Sequence, residues 1–322
     1  MKKLGLLLVG LVAFAAIGMV VLPSFLGEAT IEEETPFLIP AGSSLSAVAN
    51  DLEQAGHITS ADGFLLRARL FGSSDPIQAG EFSLTPGMSQ GDILAAFQSG
   101  DVIRRFVTIP EGMPSVLVWE RLMAEELLTG EIEVPPEGSI LPDTYAFERG
   151  QARSELVEQM QSAMDLYLAE QWAERGDNIA VSTLREALVL ASIVEKETGT
   201  PEERGTIAGL YSNRLRTGMM LQADPTIIYP ITQGKPLGRR IRQSEIAMVN
   251  GYNTYTMLGL PQGPITNPGR ESIAAVLNPE DHGYLFMVAD GTGGHEFNET
   301  LDGHNAAVER WFELRRQRGE ME

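Results

Sequence analysis

The strongest periodicity in the chain lies in residues 184–198, LREALVLASIVEKET. Leu184, Leu188, Ala191 and Glu195 recur at spacings of four, three and four, which stacks their side chains on one face of an α-helix. Ala187 and Val194 flank that stripe. The pattern predicts a helix over 182–197, capped by Ser182 or Thr183, with an apolar face that ends in a carboxyl group. A carboxyl on a buried face is disfavoured in its charged form, and a carboxyl that keeps its proton can act as a general acid. Glu197 lies about 200° further round the helix and is expected to be solvated.

Patterning on either side of this helix predicts small mixed modules. Phe37 to Ile39 reads as a strand, Pro40–Ser44 as a turn, and LSAVANDLEQAG as a helix capped by Ser43 or Ser44 and stopped by Gly56. A helix over 62–70, a strand Gly80 to Leu84 and a helix over 89–99 capped by Ser89 follow. Ile109-Pro110-Glu111-Gly112-Met113-Pro114-Ser115 then repeats the turn of residues 39–44 ahead of a second helical pattern, VLVWERLMAEELL. The first copy resembles a LysM-type module, a small βααβ unit that binds GlcNAc-containing glycans. Pro and Gly density marks 131–150 as a loop, and 151–175 reads as a long helix. Pro201 opens another helix that runs to Arg216 and stops at Gly218. Residues 221–269 are irregular; a short helix from Glu271, a strand Tyr284 to Ala289, a strand around His295–Asn298 and a helix over 300–318 close the chain.

The N-terminus adds a compartment. Lys2 and Lys3 precede Leu4 to Leu22, an uncharged stretch of 19 residues, close to the ~20 needed to span a bilayer. Lysines before it and Glu28, Glu32, Glu33 and Glu34 after it fit an N-in anchor, and no clean cleavage site follows. The expected architecture is α+β: an anchor over 1–27, an acidic stalk and LysM-like module over 28–104, and a larger mixed catalytic domain over 105–322. Residues after about 28 are then expected to lie outside the cytoplasm. A net charge of −20 argues against nucleic acid as a partner. The absence of Cys removes disulfides, thiolate metal sites and cysteine nucleophiles.

The chemistry narrows by elimination. His57, His282, His295 and His304 lack the spacing of a helical metal site, so no metal is expected. There is no G-x-S-x-G or S-x-x-K for a serine nucleophile, no phosphate loop, and no lysine placed to carry pyridoxal phosphate, so no cofactor is expected. One carboxyl on a buried helix face remains, with a loop system rich in tyrosine and amide side chains downstream. Rings of that kind cover the apolar face of a pyranose while amides bond its hydroxyls. A glycosidase of the two-carboxylate type needs a second acid; Asp224 is the best candidate, although Asp-Pro-Thr reads equally well as a turn.

Five segments then carry a specific resemblance: A-S-I-V-E-K-E-T (191–198), N-R-L-R-x-G-M-x-L-Q-x-D-P-T (213–226), Y-N-T-Y (252–255), G-L-P-x-G-P-I (259–265) and Y-L-F-M-V-A-D-G-x-G-G-H-x-F-N (284–298). In order and spacing they resemble the MltG/YceG-like endolytic murein transglycosylases. The chain departs from that pattern at Gln262, where a second Pro is more usual, and at Met287, where an aromatic is usual. The resemblance implies lytic cleavage of peptidoglycan glycan strands. Glu195 would protonate the oxygen between MurNAc and GlcNAc, then take the proton of the MurNAc C6 hydroxyl as it closes on C1. Gln222, Asp224, Thr226, Tyr252, Asn253 and Tyr255 would line the groove or orient the substrate. It also implies partnership with peptidoglycan synthases. A glycan-binding scaffold without catalysis and a true peptidoglycan hydrolase are the alternatives.

Overall fold

The computed structural model describes residues 29–320. The anchor expected over Leu4 to Leu22 lies outside the described residues, and among those residues no helix is long and apolar enough to cross a membrane. The chain divides into two compact units, one formed by residues through Arg105 together with Ala146–Gly150, the other by Phe106–Tyr145 together with Gln151 onward.

The first unit has the order strand, helix, helix, strand, helix: β1 (Thr35–Ile39), α1 (Leu45–Gln54), α2 (Ala61–Phe71), β2 (Gly80–Leu84) and α3 (Gln90–Ser99). β1 and β2 pair antiparallel, with Phe37 opposite Phe82. The rings of Phe37, Phe82 and Phe97 stack into a core that also buries Phe64, Val48 and Leu52. Local chemistry sets the helix starts. Ser44 accepts from the Ala47 N–H, and Ser89 and Asp92 close a reciprocal capping box. The buried Glu81 carboxylate is paired by both Arg105 and Arg149.

β3 (Arg105–Thr108) pairs with β4 (Thr144–Phe147). This corrects the reading of 131–150 as loop alone. The Pro and Gly residues of that segment give way at Thr144 to a short strand whose partner lies far away in sequence. It also means that the second I-P-x-G turn does not found an independent strand–helix module. α4 (Ser115–Ala124) follows that turn and ends short of the expected boundary, at Glu125.

The second unit is mainly helical: α5 (Arg153–Ala173), α6 (Leu184–Glu197), a 3-10 turn Pro201–Glu203 leading into α7 (Arg204–Arg216), α8 (Pro225–Thr232), α9 (Gln243–Ile246), α10 (Arg270–Leu277) and α11 (Leu301–Gln317). A hairpin of β5 (Phe286–Ala289) and β6 (His295–Asn298) precedes α11. α8 and α9 stand in the segment read as irregular; both are short, and α8 opens on Pro225 and contains Pro230, so neither has a helical period to detect. α6 is the axis of the unit. Ala187, Val189, Leu190, Ala191, Ser192, Ile193 and Val194 are all buried, so it is enclosed on every side along its second half. The stripe of Leu184 and Leu188 is its less buried edge, and Leu184 is exposed.

Loops around α6 are tied by buried amides. Asn267 accepts from the Ile140 N–H at 3.0 Å and donates to Met113 O at 2.9 Å and Ser115 Oγ at 3.1 Å. Its backbone carbonyl takes the Gly112 N–H at 3.0 Å. Asn267→Ala would leave a buried donor and a buried acceptor without partners. It should cost about 2–4 kcal/mol in urea unfolding; a loss below about 0.5 kcal/mol would show that the loops hold without this amide.

Candidate functional site

The last turn of α6 is Glu195-Lys196-Glu197, and its two carboxyl groups leave the helix on different sides into different surroundings. Thr183 caps the start of the helix by accepting from the Glu186 N–H at 3.1 Å. Ser192 anchors the middle, bonding back to Val189 O at 2.7 Å and accepting the Ile265 N–H at 3.1 Å. The carboxyl-bearing turn is thus held by a buried helix rather than by a flexible loop.

Glu195 is half-buried and meets the start of α10. Its Oε2 accepts from the Gly269 N–H at 3.0 Å and the Ser272 hydroxyl at 2.6 Å, the position an acidic side chain takes at a helix N-terminus. The turn at Gly112 presses against it. A Cβ there would sit 3.4 Å from Glu195 Cγ, and Gly112 has a φ of +68°, which glycine adopts without strain. Glu111 comes with that turn. Burial and then the charge of Glu195 push its carboxyl above the ordinary range, partly offset by Arg204, whose Nη2 lies 3.9 Å away. Sequence reading saw Glu111 only as part of a repeated turn; nothing in its spacing points to Glu195.

Glu197 is the residue that sequence reading placed wrongly. It is not solvated: its Oε1 is enclosed and has no hydrogen-bond partner. Burial, then the charge of Asp224, pushes its carboxyl up from 4.5 to about 8, with Arg214 opposing. The error came from assigning one buried face to a helix whose residues from Val189 to Val194 are buried on every side. Around Glu197 stand Tyr211, fully buried with its hydroxyl raised by burial and by Glu197, and Arg214, whose charged form burial disfavours. Arg214 is fixed by Leu285 O at 2.7 Å and by Leu221 O, with its guanidinium 5.7 Å from the Phe286 ring.

The six residues expected to line a groove separate into two groups. Asp224 and Tyr255 come together: the Tyr255 hydroxyl donates to Asp224 Oδ1 at 2.6 Å, and both interact electrostatically with Glu197. Gln222 is exposed beside them and adopts a φ of +52°, with its N–H bonded to Thr254 O at 3.2 Å. Tyr252 is half-buried and lies against Tyr229, ring centroids 4.8 Å apart. Thr226 and Asn253 present no surface, for both are fully buried. Thr226 bonds Ala223 O at 2.6 Å and Thr254 Oγ1 at 2.8 Å. Asn253 gives its amide to the carbonyls of Glu245, Ile246 and Met248. They shape the loop that carries Asp224 and Tyr255.

The end of α6 thus gathers the Glu195 carboxyl, a second carboxyl whose charged form is disfavoured, and the Asp224–Tyr255 pair with exposed polar side chains beside it, a set of groups that could exchange protons with a bound ligand. Comparison with known proteins gives the family. A model of the YceG-like family matches residues 37–310, and the chain belongs to that family. It is 28% identical over 317 residues to an endolytic murein transglycosylase of Bacillus subtilis, covering 87% of this chain and 85% of that protein. It is 29% identical over 305 residues to an endolytic murein transglycosylase of Streptococcus pneumoniae, of which it spans 54%. A crystal structure of a YceG-like protein from Listeria monocytogenes aligns with a TM-score of 0.54 at 27% identity, over 85% of this chain and 99% of that one.

Glu197 ties the fold to pH. Its folded pKa lies above the ordinary value, so its contribution to stability is full below about pH 4.5 and is lost as pH rises through about 8. Glu197→Gln removes that loss. Thermal unfolding should show wild type losing stability relative to the variant between pH 5 and pH 9, by up to about 4 kcal/mol. Equal differences at both pH values would mean that Glu197 ionises normally.

Proposed function

We propose that this chain is an endolytic murein transglycosylase that cuts the bond between MurNAc and GlcNAc within peptidoglycan strands and leaves 1,6-anhydro-MurNAc ends. The observation that carries the proposal is the end of the rigid helix α6, where the Gly269 N–H and the Ser272 hydroxyl orient the Glu195 carboxyl and burial disfavours the charged form of Glu197 beside the Asp224–Tyr255 pair. The names of the relatives from Bacillus subtilis and Streptococcus pneumoniae support the substrate.

One carboxyl suffices for the reaction. In its acid form it gives a proton to the bridging oxygen as the bond from that oxygen to MurNAc C1 breaks. As a carboxylate it then takes the proton of the C6 hydroxyl while that oxygen bonds to C1. The proton count closes and no water enters. A carboxyl with a raised pKa suits both halves, since it is protonated before the cut and basic after it. The family resemblance assigns this role to Glu195. The reading keeps that assignment: the Gly269 N–H and the Ser272 hydroxyl orient Glu195 through Oε2 and leave Oε1 for the substrate, whereas Glu197 Oε1 is enclosed and out of its reach. In this reading Asp224, held by Tyr255, keeps the Glu197 proton in place by its charge, and Gln222 and Tyr252 contact sugar.

The wider setting belongs to the same proposal. Residues 4–22 anchor the chain in the inner membrane with both units on the periplasmic side, near newly made strands and the synthases that extend them. The βααβ order of β1, α1, α2 and β2 supports a LysM-like reading of the first unit as a glycan-holding module.

Mass spectrometry of strands digested by the full chain in detergent should reveal ends one water lighter than hydrolytic ends. Glu195→Gln should lower their rate of appearance by about 100-fold or more, and Glu197→Gln by a smaller factor. The reverse order would assign the acid to Glu197. Ends of hydrolytic mass would replace the transglycosylase with a hydrolase, and strand binding without any cut in the wild type would favour the scaffold.

A further inference from the structure

A groove of about 490 Å³ opens beside the carboxyl-bearing turn of α6, within the ~300–1,000 Å³ usual for a ligand site. Its walls are apolar and stiff: Pro114, Leu117, Pro225, Ile228, Pro236 and Leu237. Four of the walls' charged or aromatic positions matter here: Lys196, Lys235, Glu111 and Tyr229. Lys196 and Lys235 are the only lysines in the chain apart from Lys2 and Lys3. Among the described residues, then, a chain of net charge −20 places both of its lysines on one apolar groove.

Neither lysine is locked away. Lys196 is exposed, makes no ion pair among the described residues, and reaches only Gly112 O at 3.4 Å. Lys235 pairs with Glu120, but both partners are about two-fifths exposed, and such a surface pair is worth little and is readily exchanged. Glu111 is the one acidic side chain on the groove, and it faces Arg204. The occupant suited to these walls is therefore a small apolar chain that carries carboxylate groups, and not a bare sugar strand, whose hydroxyls the prolines could not bond.

The reaction puts such a chain here. The sugar whose C1 is attacked carries a lactyl ether on C3, two ring carbons from the bond that breaks. That ether bears the peptide stem, which begins with methyl side chains and then presents free carboxylates. Gly112, which lies against Glu195, and Lys196 next to it both line the groove, so the groove starts at the reacting sugar, where the stem must leave it. We propose that this groove is a subsite for the lactyl group and first residues of the peptide stem, with Lys235 and Lys196 receiving its carboxylates. The proposal rests on the transglycosylase reading of the same site. It makes the enzyme one that prefers stem-bearing strands over strands stripped of peptide, and it assigns that preference to residues outside the acid–base pair.

The test uses the full chain in detergent with two substrates, uncrosslinked strands that keep their stems and the same strands after an amidase has removed them. Anhydro ends are counted over time for wild type and for Lys235→Met combined with Leu237→Asn. Wild type should show a kcat/KM about tenfold higher on stem-bearing strands. The variant should lose most of that ratio through a higher KM, by about tenfold, or 1.4 kcal/mol, with kcat on stripped strands within about twofold of wild type. Equal cutting of both substrates by wild type, or the same proportional loss on both in the variant, would overturn the stem subsite and leave the transglycosylase reading standing. Should wild type produce no anhydro ends from either substrate, the transglycosylase reading fails. Calorimetric titration with muramic acid bearing a stem tripeptide then decides the subsite: binding that the variant loses supports it, and no binding to wild type overturns it.

Discussion

The structure depends on the burial of the middle of one helix, from Ala187 to Val194. α6 has seven consecutive or near-consecutive positions with almost no exposed surface, from Ala187 to Val194, and packs against α5, α7 and α10. Such a helix can neither rotate nor shift without opening the core, because protein interiors are packed as densely as crystals. Its last turn therefore delivers two carboxyl groups to fixed places. Glu195 closes the start of α10, and Glu197 is held in a pocket where the charged form is disfavoured. The same rigidity that stabilises the unit holds Glu197 where burial disfavours its charged form.

The loops that complete the site are ordered by a different force. Residues 221–269 have few apolar side chains in regular spacing, so hydrogen bonds to the backbone hold them. Asn253 satisfies three carbonyls, Thr226 and Thr254 bond each other, and Asn267 fixes residues 113, 115 and 140. A buried polar group is costly unless it is bonded, and here each of these is. The outcome is a shaped loop on which Asp224 and Tyr255 are brought together, with Gln222 exposed beside them.

Local chemistry made much of the fold legible in advance. Ser44, Ser89, Thr183 and Thr300 each cap a helix by accepting an N–H within three residues, so the signal and its consequence lie side by side in sequence. The strands Gly80–Leu84 and His295–Asn298 stand where alternation and turns predict them. What failed was non-local. β4 exists because β3 lies beside it, some 36 residues away, as the contact of Thr108 with Thr144 illustrates. Glu197 looked solvated because a helical wheel drawn from one stripe cannot show that the opposite side is buried too. Thr226 and Asn253 stand in motifs, and motif membership does not distinguish a residue that touches substrate from one that braces the residue that does. The carboxyl-bearing turn was legible; the enclosure of Glu197 was not.

The central claim is that the new sugar end forms by internal closure and not by attack of water. Digestion in water enriched in heavy oxygen tests it most directly, because the two routes differ in one atom. The account predicts that the new MurNAc end carries no heavy oxygen and that its mass is one water below that of a hydrolysed end. Incorporation of one heavy oxygen at that end would contradict it.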